Sequence, residues 1–166
     1  MQKIGRAAFR ECGRLAAVAF AEDARLREIG DGAFAESALG GPADAPRELR
    51  LPASLQTIGE AAFSGCANLR AVAFAAGAEL REIEARAFCG AGLAELQVPA
   101  SVQVIGESAF EDCRSLERLS FGEGSQLREI KNKAFYGCKK LRRVAVPRAA
   151  RYAKKPFPLL TAVSRK

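Results

Sequence analysis

One short pattern occurs six times along the chain and limits what the chain can fold into. Each copy has an isoleucine and, five residues later, the phenylalanine of an Ala-Phe pair. The isoleucines are Ile4, Ile29, Ile58, Ile83, Ile105 and Ile130, and the phenylalanines are Phe9, Phe34, Phe63, Phe88, Phe110 and Phe135. Successive isoleucines are 25, 29, 25, 22 and 25 residues apart. A unit of this length is too short to bury its own apolar face, so the repeat predicts a coil of stacked turns.

Each copy also contains a short segment with the pattern of a β-strand. In residues 69–74, LRAVAF, alternation puts Val72 and Phe74 on one face of the strand, and we expect Arg70, Ala71 and Ala73 to face outwards. Parallel stacking of such strands satisfies their backbone hydrogen bonds and buries the apolar face against the next copy. A small residue follows each phenylalanine by three positions, and we expect these residues in the interior: Cys12, Ser37, Cys66, Ala91, Cys113 and Cys138.

The full pattern, IGxxAFxxCxxLxxVxF…LxxI, resembles the BspA-type leucine-rich repeat over about residues 4–147. The resemblance implies an α/β fold, a right-handed and horseshoe-shaped solenoid. In that fold each repeat has a parallel strand on the concave side and short helical turns on the convex side. The resemblance also implies a binding or adhesion module. Glu84 and Lys131 replace the repeat glycine, and these departures leave the expected fold unchanged.

Two regions are expected along the chain. Residues 1–147 hold the six repeats, with a surface insertion near residues 40–47 that accounts for the longest spacing. Residues 148–166 lack the pattern and form a basic tail that contains prolines. Because the first repeat isoleucine is Ile4, no N-terminal cap is visible. We expect that end to be covered either by further repeats of a longer array or by a partner in an assembly.

The formal net charge of +7 conceals two regions of opposite sign. Residues 131–166 contain twelve Lys and Arg and no acidic residue, whereas residues 1–130 carry 14 basic and 19 acidic side chains. Such a concentrated positive segment predicts contact with an acidic surface of protein, nucleic acid or anionic lipid. The candidates for this contact are Lys139, Lys140, Arg148, Arg151, Lys154 and Lys155.

The strand register predicts which side chains the concave face presents. This face is the usual binding surface of a solenoid. Its first repeats present mainly alanine and its last repeat is basic. The candidates for protein binding on it are Arg50, Arg70, Glu95, Gln97, Glu117, Arg118, Ser120, Arg142 and Arg143.

The composition argues against an enzyme. The chain has no histidine, which excludes Ser-His-Asp and Cys-His triads, a histidine general base and histidine metal ligands. The five cysteines lie far apart and form no CxxC pair, so no metal site is expected. No carboxylate pair stands out from the repeat, and no glycine-rich phosphate loop is present. We therefore expect no catalytic residues, no cofactor and no small-molecule substrate.

Two functions remain in competition. The first is a non-catalytic protein–protein interaction or scaffold module, as a subunit of a larger assembly or a piece of a longer repeat array. The alternative is an accessory subunit of a ribonucleoprotein that contacts RNA through the basic C-terminal segment, with Tyr136, Tyr152 and Phe157 stacking on bases. The identity of the partner stays open.

The compartment is also open. The N-terminal residues lack the apolar stretch of a signal peptide, and no segment is apolar enough to predict a transmembrane span. An odd number of cysteines favours reduced thiols inside a cell. The resemblance implies a family that is often found on cell surfaces.

Overall fold

The chain coils into stacked turns held together by parallel β-sheet pairing. The computed structural model describes residues 1–21, 23–41 and 48–166. One short strand from each of seven turns joins a seven-stranded parallel sheet in which successive turns are neighbours. Its strands are β1 (Lys3–Ile4), β2 (Glu28–Ile29), β4 (Thr57–Ile58), β6 (Glu82–Ile83), β8 (Val104–Ile105), β10 (Glu129–Ile130) and β12 (Arg151–Tyr152). The six repeat isoleucines lie in register and are buried, which confirms the predicted solenoid.

A second row of strands lies elsewhere on each turn. These strands have four residues each: β3 (Glu48–Leu51), β5 (Ala71–Phe74), β7 (Glu95–Val98), β9 (Arg118–Phe121), β11 (Arg143–Val146) and β13 (Ala162–Arg165). They pair in parallel only in twos, as β3 with β5, β7 with β9 and β11 with β13. In β7, Leu96 and Val98 are buried while Glu95 and Gln97 face outwards. Each of these strands in the central turns therefore has one interior face and one face toward solvent.

A continuous stack of phenylalanine rings fills the interior. The stack begins at Phe9, passes through the other five repeat phenylalanines and ends at Phe157. Neighbouring ring centroids are 5.0 to 5.4 Å apart, and the ring planes deviate from parallel by 2° to 12°. Phe34, Phe63, Phe88, Phe110 and Phe135 are among the largest fully buried side chains. The rings therefore bury apolar surface between turns, since each ring packs on the ring of the next turn.

The predicted short helical turns are wrong. The described residues contain strands and turns but no helix. In each of the first six turns, the residue two before the phenylalanine and the residue two after it have positive φ, as do Ala61 (53°) and Gly65 (72°) around Phe63. A left-handed residue every fourth position prevents an α-helical run. The backbone bonds between turns instead: the Phe63 N–H donates to the Ala87 carbonyl of the next turn at 2.7 Å.

Buried thiols bond the carbonyls of the preceding turn. The Cys66 Sγ donates to the Phe34 carbonyl at 3.1 Å, and Cys113 and Cys138 donate to the carbonyls of Phe88 and Phe110 at 3.2 Å. These three cysteines are buried, whereas Cys12 in the first turn is only half-buried. The expected interior position thus holds for the three thiols that have a preceding turn.

Residues 148–166 lie on the sixth turn. Strand β12 pairs with β10, and β13 pairs with β11. Phe157 is buried and stacks on Phe135 at 5.4 Å. The end of the stack is covered by Tyr152, which meets Phe157 edge-on at 6.1 Å, and the Arg165 guanidinium lies 4.5 Å from the centroid of the tyrosine ring. The domain boundary predicted at residue 147 stays a prediction, although this segment adds a seventh turn.

Residues 42–47, which include most of the predicted insertion near 40–47, lie outside the described residues. Just before them, Gly40 has φ 96°, and a β-carbon at this position would lie within 2.7 Å of backbone atoms of Asn68 and Leu69. A side chain at Gly40 would collide with that backbone, so glycine is required there.

Candidate functional site

An open groove of about 1320 Å³ crosses the outward faces of β5, β7, β9 and β11. This is the face that the resemblance predicts to be concave. Eight of the candidate side chains line the groove: Glu95, Gln97, Glu117, Arg118, Ser120, Lys140, Arg142 and Arg143. The strand pleat explains the arrangement, because alternate residues of each strand point outwards while their neighbours enter the core.

Two ion pairs join neighbouring turns across the groove floor. The Arg118 guanidinium contacts the Glu95 carboxylate at 2.6 Å, and the Lys140 ammonium contacts the Glu117 carboxylate at 2.8 Å. The hydrogen bond and charge of Lys140 lower the pKa of Glu117, and Glu95 raises the pKa of Arg118 by the same two effects. All four side chains are more than half exposed, so each pair adds little to stability and chiefly holds charge in place.

The two ends of the groove differ in chemistry. At one end, β5 and the loop after it contribute only small or apolar side chains to the lining, including Ala71, Ala73 and Phe74. Glu48 of β3 also lines this end, and its carboxylate is paired with Arg50 at 2.8 Å. At the other end, β11 and the residue before it contribute Arg143 and Arg142. Neither arginine has a carboxylate partner among the described residues. The groove therefore runs from an apolar end to a cationic end.

The strands beneath the groove do not form one continuous ladder. β5 pairs with β3 and β7 pairs with β9, but β5 and β7 are not paired with each other. The same break separates β9 from β11, where the Lys166 ammonium donates to the Phe121 carbonyl at 2.7 Å. The breaks leave backbone polar groups in the groove region without strand partners.

Two candidate residues lie outside the groove lining. Arg50 is exposed and pairs with Glu48 of its own strand at 2.8 Å. Arg70 is half-buried, and its guanidinium donates to the Gly92 carbonyl at 3.2 Å and to the Ser115 hydroxyl at 3.1 Å. Arg70 thus joins three turns, an arrangement that suits a structural role.

The basic candidates of the C-terminal segment are spread over the last two turns. Lys139, Lys140, Arg148, Arg151, Lys154 and Lys155 are all exposed. Lys140 belongs to the groove, and the other five lie outside its lining. Among the aromatic rings considered for base stacking, Phe157 is buried against Phe135, whereas Tyr136 is 47% exposed and Tyr152 is 39% exposed.

The described residues offer no assembled metal or nucleophile site. They contain no cluster of three or more metal-ligating side chains, and no helix long and apolar enough to cross a membrane. Burial raises the pKa of the Cys66 thiol. Burial also raises the pKa of Cys89, and the nearby carboxylates of Glu111 and Asp112 raise it further. Both thiols therefore stay protonated at neutral pH, and a protonated thiol is a poor nucleophile.

Sequence reasoning missed the ion pairs and the partial exposure of Phe74. Glu95 and Arg118 occupy the same position in adjacent turns, so aligning the repeats strand by strand would have paired them. Phe74 was assigned to the interior face, yet it is only half-buried and its edge lines the groove. No feature of its sequence context distinguishes it from Phe121, the matching residue of β9, which is buried.

Comparison with known proteins supports this description. A family model described as a BspA type leucine rich repeat region matches in six copies over residues 1–40 and 45–155. A leucine-rich repeat protein from Bacteroides ovatus is 30% identical, with a TM-score of 0.81. The pneumococcal vaccine antigen PcpA is 27% identical, with a TM-score of 0.72. A leucine-rich repeat protein from T. pallidum, at 21% identity and a TM-score of 0.54, shares the fold. A search of curated proteins finds no match.

The lengths of these proteins differ. The structural alignment covers 99% of this chain but 40% of the B. ovatus protein, and 92% of this chain but 39% of PcpA. The T. pallidum protein is covered over 77% of its length. The family model, the sequence identity and the stacked parallel turns agree, and the chain belongs to the BspA-type leucine-rich-repeat family.

Proposed function

We propose that the chain is a non-catalytic protein-binding module that holds a partner polypeptide in the groove over β5, β7, β9 and β11. The observation that carries this proposal is the groove itself, which is formed by four strands with outward side chains free to contact a ligand. Leucine-rich repeats are consistent with a protein-interaction role. The exposed polar side chains and the small floor residues suit an extended segment better than a small molecule, because the site is open rather than enclosing.

A peptide selection with a groove-blocking variant tests this proposal. Random 12-residue peptides displayed on phage are selected on the whole chain, and the affinities of the selected peptides are then measured by fluorescence polarisation. Ser120 is exposed and lines the groove, while Ser164 is exposed at the matching outward position of β13 and lies outside the lining. We expect Ser120→Trp, which fills the groove without adding charge, to weaken binding at least tenfold, and Ser164→Trp to leave it within twofold. Peptides that bind Ser120→Trp as tightly as the unchanged chain would contradict the proposal.

The assembly role rests on the first turn. Phe9 packs on Phe34 at 5.1 Å through one face, and 38% of its surface is exposed. We propose that this exposed face takes a further protein surface as its second neighbour, in the way that Phe34 takes Phe63. Sedimentation velocity and binding of a hydrophobic dye test this proposal. A monodisperse chain that binds no dye, unchanged by Phe9→Ser, would contradict it.

RNA contact through the last two turns remains the alternative. It is favoured by the absence of acidic residues after position 130 and by the two exposed tyrosines. Stacking on bases would have to use Tyr136 and Tyr152, because Phe157 is buried. Binding of single-stranded RNA that falls steeply with salt, and that weakens in Lys154→Glu/Lys155→Glu, would support the alternative. No RNA binding at low salt would exclude it.

A further inference from the structure

We propose that the groove selects an extended polypeptide segment that carries carboxylates at its β11 end and an apolar side chain at its β5 end, about four or five residues apart. This inference rests on the groove-binding function above and adds the chemistry of the partner. Three observations support it: some charges of the groove are already neutralised, one end of the lining is apolar, and the turns have a fixed spacing.

Two arginines of the groove remain unpaired after the internal ion pairs are made. Glu95 neutralises Arg118, and Glu117 neutralises Lys140. Arg142 and Arg143 are exposed, line the groove and have no carboxylate within 4.0 Å among the described residues. Arginine presents a planar fork of donors that matches a carboxylate. A partner that places Asp or Glu side chains there gains charge-assisted hydrogen bonds without breaking an existing pair.

The opposite end of the groove, at β5, is apolar. Ala71 and Ala73 are the outward residues of β5, and both are half-buried with side chains that end at the β-carbon. Phe74 and Ala78 add further apolar surface beside them. The Glu48 carboxylate, opposite Ala71 on β3, also lines this end but is already paired with Arg50 at 2.8 Å. A charged side chain placed here would lose water and find no unpaired counter-charge, whereas an apolar side chain would bury surface against the β5 residues.

The distance between the β5 end and the β11 end of the groove follows from the stacking of the turns. β5, β7, β9 and β11 belong to four successive turns, so three inter-strand steps separate the alanines of β5 from the arginines of β11. The stacked phenylalanines of these four turns are 5.0 to 5.2 Å apart from one turn to the next, so the span is roughly 15 Å. An extended peptide advances about 3.3 Å per residue, so about four or five residues cover it. The groove should therefore select peptides by the spacing between their acidic and apolar side chains as well as by their composition.

The composition of the peptides selected from the random 12-residue library tests the inference. We expect Asp and Glu to be enriched in pairs or runs, with Leu, Ile, Phe or Trp three to five residues away. Arg142→Glu/Arg143→Glu should weaken such peptides at least tenfold and should select peptides enriched in Lys and Arg instead. Lys154→Glu/Lys155→Glu is the matched control, because it makes the same charge change at exposed residues outside the groove lining, and it should change binding less than twofold.

The outcomes separate the two proposals. If selected peptides lose affinity for Ser120→Trp but carry no acidic enrichment, or bind Arg142→Glu/Arg143→Glu unchanged, the groove binds polypeptides and the inference on their chemistry is wrong. If the peptides are acidic but lose affinity for the Lys154 and Lys155 control instead, the cationic surface outside the groove selects them, and the inference is again wrong. If no peptide depends on Ser120, the groove-binding function itself fails.

Discussion

The first turn and the interior turns carry the same side chains in different surroundings. Phe9 and Phe110 hold the same repeat position, but Phe9 is 38% exposed and Phe110 is fully buried. Gly5 has open space around a would-be β-carbon, whereas at Gly106 that atom would lie 2.6 Å from the Ala85 nitrogen of the preceding turn. The difference shows that the repeat owes its burial and its tight packing to its neighbours, since the sequence at these positions is the same.

The comparison extends to hydrogen bonding. Cys113 donates to the Phe88 carbonyl of the preceding turn, and Cys12, at the same position in the first turn, makes no such bond. Pairs of substitutions, one in the interior and one at the matching position of the first turn, therefore isolate the contribution of the preceding turn. We expect the difference in the free energy of unfolding to be largest for the phenylalanine pair and smaller for the glycine and cysteine pairs.

The phenylalanine stack gives the largest expected difference. Phe110→Ala removes a ring that packs on Phe88 and on Phe135, and we expect a loss of about 3–5 kcal/mol. Phe9→Ala removes a ring with one stacked neighbour, and we expect a loss below about 2 kcal/mol. Urea unfolding followed by circular dichroism measures both. Equal losses would show that the stack does not stabilise through neighbouring rings.

The glycine position gives the next difference. Gly106→Ala forces a β-carbon against the backbone of Glu84 and Ala85, and overpacking of this kind costs about 1–3 kcal/mol. Gly5→Ala meets nothing within 4 Å and should change stability by less than about 0.5 kcal/mol. Thermal unfolding midpoints of the two variants provide the check. A neutral Gly106→Ala would mean that adjacent turns are farther apart than the structure shows.

The cysteine position tests the bond between turns. Cys113→Ala removes a buried thiol and leaves the Phe88 carbonyl without that donor, so we expect a loss of about 1–2 kcal/mol. Cys12→Ala, at a half-buried thiol, should cost less than about 0.5 kcal/mol. Unfolding in urea under reducing conditions compares the two variants. A larger effect at Cys12 than at Cys113 would reverse the expected order.

The smallest expected effect concerns Glu84, which occupies the position of the repeat glycine. Burial raises its pKa, and the neighbouring carboxylates of Glu82 and Asp31 raise it further. A raised pKa in the folded chain means that the protonated form stabilises the fold at low pH and that this stabilisation is lost as pH rises. Glu84→Gln should therefore gain stability relative to the unchanged chain at pH 7, and the gain should shrink toward pH 4.

The matched control for that prediction is Glu117, whose pKa Lys140 lowers. Glu117→Gln should lose stability at pH 7, and the loss should shrink as pH falls. Urea midpoints measured at several pH values give both differences. The same sign for both variants would contradict the assigned pKa directions.

Much of the fold could be predicted because the repeat isoleucines and phenylalanines follow a strict spacing. The seventh turn was harder to predict. Tyr152 and Phe157 are five residues apart, like Ile130 and Phe135, but tyrosine replaces isoleucine and Pro156 replaces alanine, so the pattern ends. The absence of helices among the described residues was also hard to predict. It depends on left-handed residues such as Ala61, and their side chains give no sign of that backbone conformation.

The candidate site was predictable in part for the same reason. Outward positions such as Gln97 and Ser120 follow from strand alternation, and the structure places both in the groove. The breaks between β5 and β7 and between β9 and β11 could not be predicted, because alternation fixes which way a side chain points and not which strands pair. Arg70 faces a carbonyl and a hydroxyl of later turns, and only the spatial stacking of turns shows this.

The most direct test of the groove as the binding surface is a hydrogen–deuterium exchange footprint. The exchange of the whole chain is compared with and without a saturating concentration of the tightest selected peptide. We predict slower exchange in β5, β7, β9 and β11, and unchanged exchange in the seven-stranded sheet. Slower exchange confined to that sheet or to residues 148–166, with the groove strands unaffected, would contradict a binding site in the groove.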